Sequence, residues 1–173
     1  MRYPSGWKMV SCLTLEWLAL GVWVGGLLVL VGAVIPAVFN SFGGQDSGGF
    51  FLTRVFEGYN CFVVGAMVIM GVTSWYRWWS GDPAVAVGWG EMTLLAGMVA
   101  IAGIIVGVLH PYAGALQAHA FAAQGAAERK AAFESLFGIL LPVRLLYIVN
   151  LILGILLMGI KAKQSLRRDG VLP

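Results

Sequence analysis

The sequence predicts an all-α protein, a bundle of four transmembrane helices with a helical excursion on its outer side between the third and the fourth. Three observations predict it. The chain is 60% hydrophobic and only 11% charged, with a mean hydropathy of +0.86, where a soluble domain is about one-quarter charged. Four apolar segments are separated by charged or glycine-rich breaks. Between the third and fourth lies an alanine-dominated stretch, and alanine is the best helix former.

The first span is LALGVWVGGLLVLVGAVIPAVF, Leu18 to Phe39. It has no charge and no polar face, which sets it apart from a core helix of a soluble domain. It is too long for a signal peptide and is not closed by a small-residue cleavage site. At a rise of about 1.5 Å per residue it reaches about 33 Å, enough for the hydrocarbon core. Pro36 is expected to bend or end it. Gly58 to Tyr76 and Met92 to Leu109 form the second and third apolar segments. The fourth, Leu145 to Ile160, is short for a span, so its helix is expected to begin near Leu141 or Pro142, with proline in the first turn. The spans are therefore placed at about 17–39, 57–79, 90–112 and 141–162, with the outer excursion over 113–140, all in one membrane domain of residues 1–173. Gly125 is the weak point of the excursion, expected to hinge two helical pieces. Phe121, Phe133, Leu136 and Phe137 supply its apolar side; Glu128, Arg129, Lys130 and Glu134 supply the wet one.

Orientation follows from the basic residues. Arg2, Lys8, Arg77, Lys161, Lys163, Arg167 and Arg168 fall on one side, and Arg54, Arg129, Lys130 and Arg144 on the other. The positive-inside rule then places both termini in the cytoplasm, in a bacterial inner or plasma membrane. Trp7, Trp17, Trp75, Trp78, Trp79 and Trp89 gather at the cytoplasmic helix ends as an interfacial belt, and only Trp23 lies deeper. The net charge of +3 needs no nucleic-acid partner, because a basic tail beside anionic lipid accounts for it. Cys12 and Cys61 belong at opposite ends of the bundle. A disulfide needs Cα atoms within about 7 Å, so both are expected as free thiols.

Small residues form two periodic stripes. Gly21, Gly25, Gly32 and Pro36 follow one side of the first helix; Ala96, Ala100, Gly103 and Gly107, continued by His110, follow one side of the third. Such stripes let backbones approach in a membrane. They are read first as seams holding the four helices together, with contact to another chain as the alternative.

Catalytic apparatus is not found. The chain has no nucleophile elbow, no phosphate-cradling glycine loop, no H-E-x-x-H and no C-x-x-C. Two histidines and two distant cysteines do not make a closed zinc site. His110 and His119 are nine residues apart, which points them to opposite sides of a continuous helix, so a shared haem or copper is disfavoured. Met67 and Met70 are too few for a copper path. No metal or cofactor is expected, and no enzyme.

Ionisable groups within spans are functional candidates by default. Arg54, Glu57 and Asn60 on the second helix, His110 on the third, and Arg144, Tyr147 and Asn150 on the fourth converge toward the outer leaflet. The expectation is an outer polar cluster, binding or structural, in which Glu57 pairs with Arg144. The inner half of the bundle is expected to lack such groups.

The motifs W-V-G-G (Trp23 to Gly26) and P-A-V-F (Pro36 to Phe39), the following glycine-rich turn, R-V-F-E-G-Y (Arg54 to Tyr59), Pro111 and R-L-L-Y-I-V-N-L (Arg144 to Leu151) together resemble the transmembrane protein 205 family. The resemblance spans most of the chain and implies a four-helix membrane fold. It implies no settled biochemical activity; some members are linked to drug tolerance and membrane trafficking. Where that family carries a histidine in its last helix, this sequence has Val143 and Arg144, which removes any role resting on that imidazole. Three functions are weighed. The first is a non-catalytic accessory subunit that meets lipid and other membrane proteins through helix contacts. The second is a small-molecule or ion transporter or binding protein using the outer cluster. The third is a redox helper holding haem or quinone. The first is favoured, because an apolar inner half offers no polar route across and no inverted repeat is visible.

Overall fold

The computed structural model describes residues 6–42, 45–81, 86–122 and 125–168, all in helices apart from short connections. Helix α1 (Gly6–Val29) passes through a π turn (Leu30–Val34) into α2 (Ile35–Phe42). Helix α3 (Gln45–Ser80) returns across the bundle. Helix α4 (Trp89–Ile104) passes through a second π turn (Ile105–Leu109) into α5 (His110–Ala122), and α6 (Ala126–Arg168) returns. Trp7–Ser41, Phe51–Ser80, Trp89–Ala122 and Leu141–Leu166 are long and apolar enough to cross a membrane. The protein is thus an all-α bundle of four membrane-crossing helices, as its sequence predicts.

Each π turn ends two residues before a proline. Proline has no N–H and its ring collides with the carbonyl four residues back. Widening the turn moves that carbonyl away. Ile35 accordingly donates its N–H to the Leu30 carbonyl, five residues back, just before Pro36. His110 does the same to Ile105, just before Pro111. Neither proline ends its helix. Pro142 behaves differently from the sequence expectation as well. It lies well inside α6, which runs unbroken from Ala126, so the second half of the outer excursion and the last span form one helix. Helix α5 ends at Ala122 and α6 begins at Ala126, with Gly125 in a bend. Phe133, Leu136, Phe137, Arg129 and Lys130 have side chains outside the described residues, whereas Glu128 and Glu134 are exposed. At the opposite end, α3 stops at Ser80 because Gly81 takes a left-handed conformation (φ 62°) that side chains disfavour.

The core lies between the helices at mid-depth. It includes Leu20, Trp23, Val24 and Leu27 of α1, Val63, Ala66 and Met70 of α3, Leu95, Met98 and Ala102 of α4, and Leu157 of α6. Helix α1 packs on α3 and on α6, and α4 with α5 packs on α6. Many large apolar side chains face outward, among them Val22, Phe62, Val68, Val108 and Ile152, as lipid-facing surfaces do.

The two hairpins, α1 to α3 and α4 to α6, carry the same buried pattern. Glu16, Leu20, Trp23, Leu27 and Leu30 are buried on the first helix; Glu91, Leu95, Met98, Ala102 and Ile105 are buried on the third. Each pair is a constant 75 residues apart along the chain (16 to 91, 30 to 105), and Pro36 and Pro111 keep the same interval. On the returning helices Thr73 and Leu157, and Arg77 and Lys161, are each 84 apart and buried. Both hairpins begin at the same end of the bundle, so this is a parallel repeat, the kind related by an axis along the membrane normal.

Candidate functional site: a buried charge network

The repeat brings four charged side chains together at one end of the bundle. Glu16 of α1 and Glu91 of α4 come from the first helix of each hairpin; Arg77 of α3 and Lys161 of α6 come from the second. Arg77 Nη1 donates to Glu16 Oε2 and to Glu91 Oε1, each at 2.7 Å. Its Nη2 donates to Glu91 Oε2 at 3.3 Å. Lys161 Nζ donates to the same Glu16 Oε2 and Glu91 Oε1, each at 2.5 Å. Every cation therefore bridges both carboxylates, and every carboxylate bridges both cations. The two glutamates and the arginine are no more than 1% exposed and the lysine 6%.

Local sequence makes this arrangement possible. The glutamates sit in the first turns of their apolar stretches, on the buried stripe that continues as Leu20–Trp23–Leu27 and Leu95–Met98–Ala102. Their carboxylates therefore point into the bundle. The basic residues lie toward the ends of the returning helices, Arg77 in the last turn of α3 and Lys161 about two turns before the end of α6. A lone charge inside a membrane is costly, about 2.5–3.5 kcal/mol by insertion scales. Here two positive and two negative charges cancel within hydrogen-bond distance. The arginine fork suits a carboxylate bidentately, and the lysine supplies a point charge on the other side. Only Glu16 Oε1 among these carboxylate oxygens is buried without a partner. Next to the network, the Cys12 thiol contacts the Thr73 carbonyl at 3.7 Å, and both cysteines are free. With both cations engaged by both carboxylates, the site is an ionic clasp between hairpins.

Sequence reasoning missed this network. Arg77 and Lys161 read as flanking cytoplasmic charges and Glu16 as a residue preceding the span, which left the inner half with no ionisable groups. The structure corrects that expectation. The available signal was the recurrence of a glutamate followed at 20 residues by a proline, at Glu16–Pro36 and Glu91–Pro111.

The expected outer cluster divides in two. Glu57 accepts from Arg54 Nη1 at 2.8 Å on its own helix, and its other oxygen lies 3.9 Å from His110 Nε2. Arg144 is exposed, and the expected Glu57–Arg144 pair is not formed; the partner one helical turn away and the neighbouring imidazole take the carboxylate instead. Deeper in the bundle, Tyr147 Oη donates to Asn60 Oδ1 at 3.2 Å. The Tyr147 ring meets Phe56 with centroids 5.3 Å apart, and buried Asn150 lies one turn along the same face. His110 is half-buried and His119 exposed.

The two small-residue stripes are also corrected. Gly32, Pro36, Ala96, Ala100, Gly103 and Gly107 are exposed, and Gly21 and Gly25 are partly so. A Cβ built on Gly21, Gly25, Gly32, Gly103 or Gly107 would meet nothing within 4 Å. The stripes face away from the bundle and do not hold it together. The glycines that do are Gly26, whose Cβ would lie 2.8 Å from Tyr59 Cε2, and Gly154, whose Cβ would lie 2.5 Å from Val24 Cγ2. Tyr59, whose hydroxyl donates to the Trp23 carbonyl at 2.6 Å, anchors α3 to α1 beside Gly26.

Residues 18–122 match a protein family described as a domain of unknown function (DUF4149). No curated protein and no solved structure matches the chain.

Proposed function

Because the chain belongs to the DUF4149 family, whose description assigns no activity, we propose a role from the bundle itself. The protein is a non-catalytic integral membrane subunit that packs laterally against a larger membrane complex. One observation carries this reading: two small-residue stripes, at equivalent places on the two hairpins, both turn outward. Gly21 answers to Ala96, Gly25 to Ala100 and Gly32 to Gly107, each 75 residues on. In lipid such stripes favour close helix contact with another span, because dispersion and backbone approach replace the missing hydrophobic drive. The charge network supports the same reading, since its charges are satisfied within the chain and hold the hairpins in fixed register. The likeness of its motifs to the transmembrane protein 205 family fits a four-helix membrane protein.

The test is native-gel migration after mild detergent extraction of the parent and of a Gly103→Leu, Gly107→Leu double variant. Both positions are exposed and a Cβ at either meets nothing within 4 Å, so the fold should survive without loss of stability, helical glycine being itself the less favourable residue. The parent should run as a large assembly and the double variant at the mass of the free chain. Unchanged migration of a folded variant would remove the helix 3 stripe from any interface. An absorption spectrum of the parent band reads the redox alternative at the same time, because bound haem gives an intense visible band.

We also propose that both termini face the cytoplasm of a bacterial inner membrane. Arg77 and Lys161 are buried in the network rather than set at the membrane surface, which leaves five basic residues at that end against four at the other. The tryptophans then carry more of the argument: Trp7, Trp75, Trp78, Trp79 and Trp89 are all exposed at the network end. In a background with Cys12 and Cys61 changed to serine, a single cysteine at Ser47 should react with an impermeant thiol reagent added to intact cells. One at Ser165 should not. The reverse pattern would invert the orientation.

A further inference from the structure

A small cavity of ≈ 10 Å³ lies where the two hairpins meet in the half of the bundle away from the charge network. Its walls come from all four spans: Trp23 of α1, Tyr59, Asn60 and Val63 of α3, Ala102 and the π-turn residues Ile105 and Val106, and Tyr147 and Asn150 of α6. Most of this lining is apolar or aromatic. The two amides are the exception. Asn60 is 5% exposed and Asn150 3%; Asn60 Nδ2, a donor, and Asn150 Oδ1, an acceptor, are both buried without a partner.

We propose that the cavity is a binding site for one water molecule, which accepts from Asn60 Nδ2 and donates to Asn150 Oδ1. A water needs about 10–15 Å³ of such space and two to four polar partners, so the space between the amides is that of a single water. The chemistry selects among small occupants. A bare cation would face the Asn60 N–H donor, and an anion would face the Asn150 carbonyl oxygen. Water alone accepts from one and donates to the other. An unsatisfied amide atom in a bilayer interior bears its full desolvation cost; a bridging water satisfies both. The Asn60 carbonyl oxygen is already occupied by the Tyr147 hydroxyl. The chain Tyr147–Asn60–water–Asn150 therefore starts and ends on α6 and passes through α3, joining the two hairpins a second time, far from the ionic clasp. This site is distinct from the outward stripes and does not depend on the accessory-subunit reading.

The measurement is a rotating-frame Overhauser experiment on the full chain in detergent micelles in H2O, reading cross-peaks between the water resonance and the side-chain amide protons of Asn60. A water held in contact gives a peak opposite in sign to the diagonal, whereas chemical exchange with solvent gives one of the same sign. The opposite-sign peak is expected in the parent. It should be lost in Asn150→Leu, which has a similar shape but no acceptor. No peak in the parent, or an exchange-sign peak alone, would overturn the proposal without reference to any variant. Persistence of the peak in a folded Asn150→Leu protein would overturn the bridge.

Discussion

Arg77→Ala is expected to destabilise the protein by about 3–5 kcal/mol, the cost of leaving buried charge without its partner. Arg77 is 1% exposed and engages both glutamates with its two terminal nitrogens. Its removal leaves one net negative charge shared by two carboxylates and a single lysine inside the bundle. Arg54→Ala makes the useful contrast. That side chain is 67% exposed and pairs with Glu57 at i,i+3, so its loss should cost less than about 1 kcal/mol. Arg77→Lys should fall between the two, since an ammonium keeps the charge and forfeits the fork. Adding Glu91→Gln to Arg77→Ala should recover part of the loss by restoring neutrality. Replacing all four residues by leucine and methionine should be near neutral or even stabilising, because the ionic interactions only offset the desolvation of the groups that make them. Denaturant unfolding in detergent reads each variant. Equal losses for Arg77→Ala and Arg54→Ala, or strict additivity of Arg77→Ala and Glu91→Gln, would show that the clasp does not hold the hairpins together.

The spans were legible in the sequence because membrane insertion is decided by apolar length, and length is a property of one segment at a time. The network was not, for the converse reason. Glu16, Arg77, Glu91 and Lys161 each lie near the end of a span, where a single charge reads as an interfacial group reaching for water. Their meaning is a relation among four helices, and only the repeated interval from glutamate to proline hinted at it. The outer cluster misled in the opposite way. Arg54, Glu57, His110 and Arg144 do lie toward the same end, but level does not fix rotation, and Arg144 turns outward on α6 while Glu57 finds closer partners. The small-residue stripes showed where a backbone can be approached. They carried no information about which chain does the approaching. The close contacts inside the bundle fall instead at Gly26 and Gly154. A single tyrosine ring and a single valine branch fill those spaces, and no periodicity announces them.

Gly154→Ala is accordingly expected to destabilise by about 1–3 kcal/mol, the range for overpacking a filled core. Gly154 is buried on α6 where that helix crosses α1 and α4. Its added Cβ would fall 2.5 Å from Val24 Cγ2 and 3.3 Å from Met98 Cε. The methionine end is flexible and can move. The valine cannot: its β-branched side chain is held in few rotamers on a helix, and it is 3% exposed in the core. Relief therefore requires α1 and α6 to separate, which would loosen the register that brings Glu16 to Lys161 on the same two helices. Gly103→Ala, by contrast, adds a methyl where nothing lies within 4 Å, and replacing glycine within a helix should gain about 0.5–1 kcal/mol. The opposite signs of these two changes distinguish an internal contact from an outward stripe with no reference to any partner. A Val24→Ala change removes the colliding Cγ2 and on its own leaves a cavity. In the Gly154→Ala background it should cost less than it does alone, because the new methyl occupies the vacated space. A double-mutant cycle of unfolding free energies measures that coupling. Additivity within about 0.5 kcal/mol would mean that the two helices do not meet at these positions.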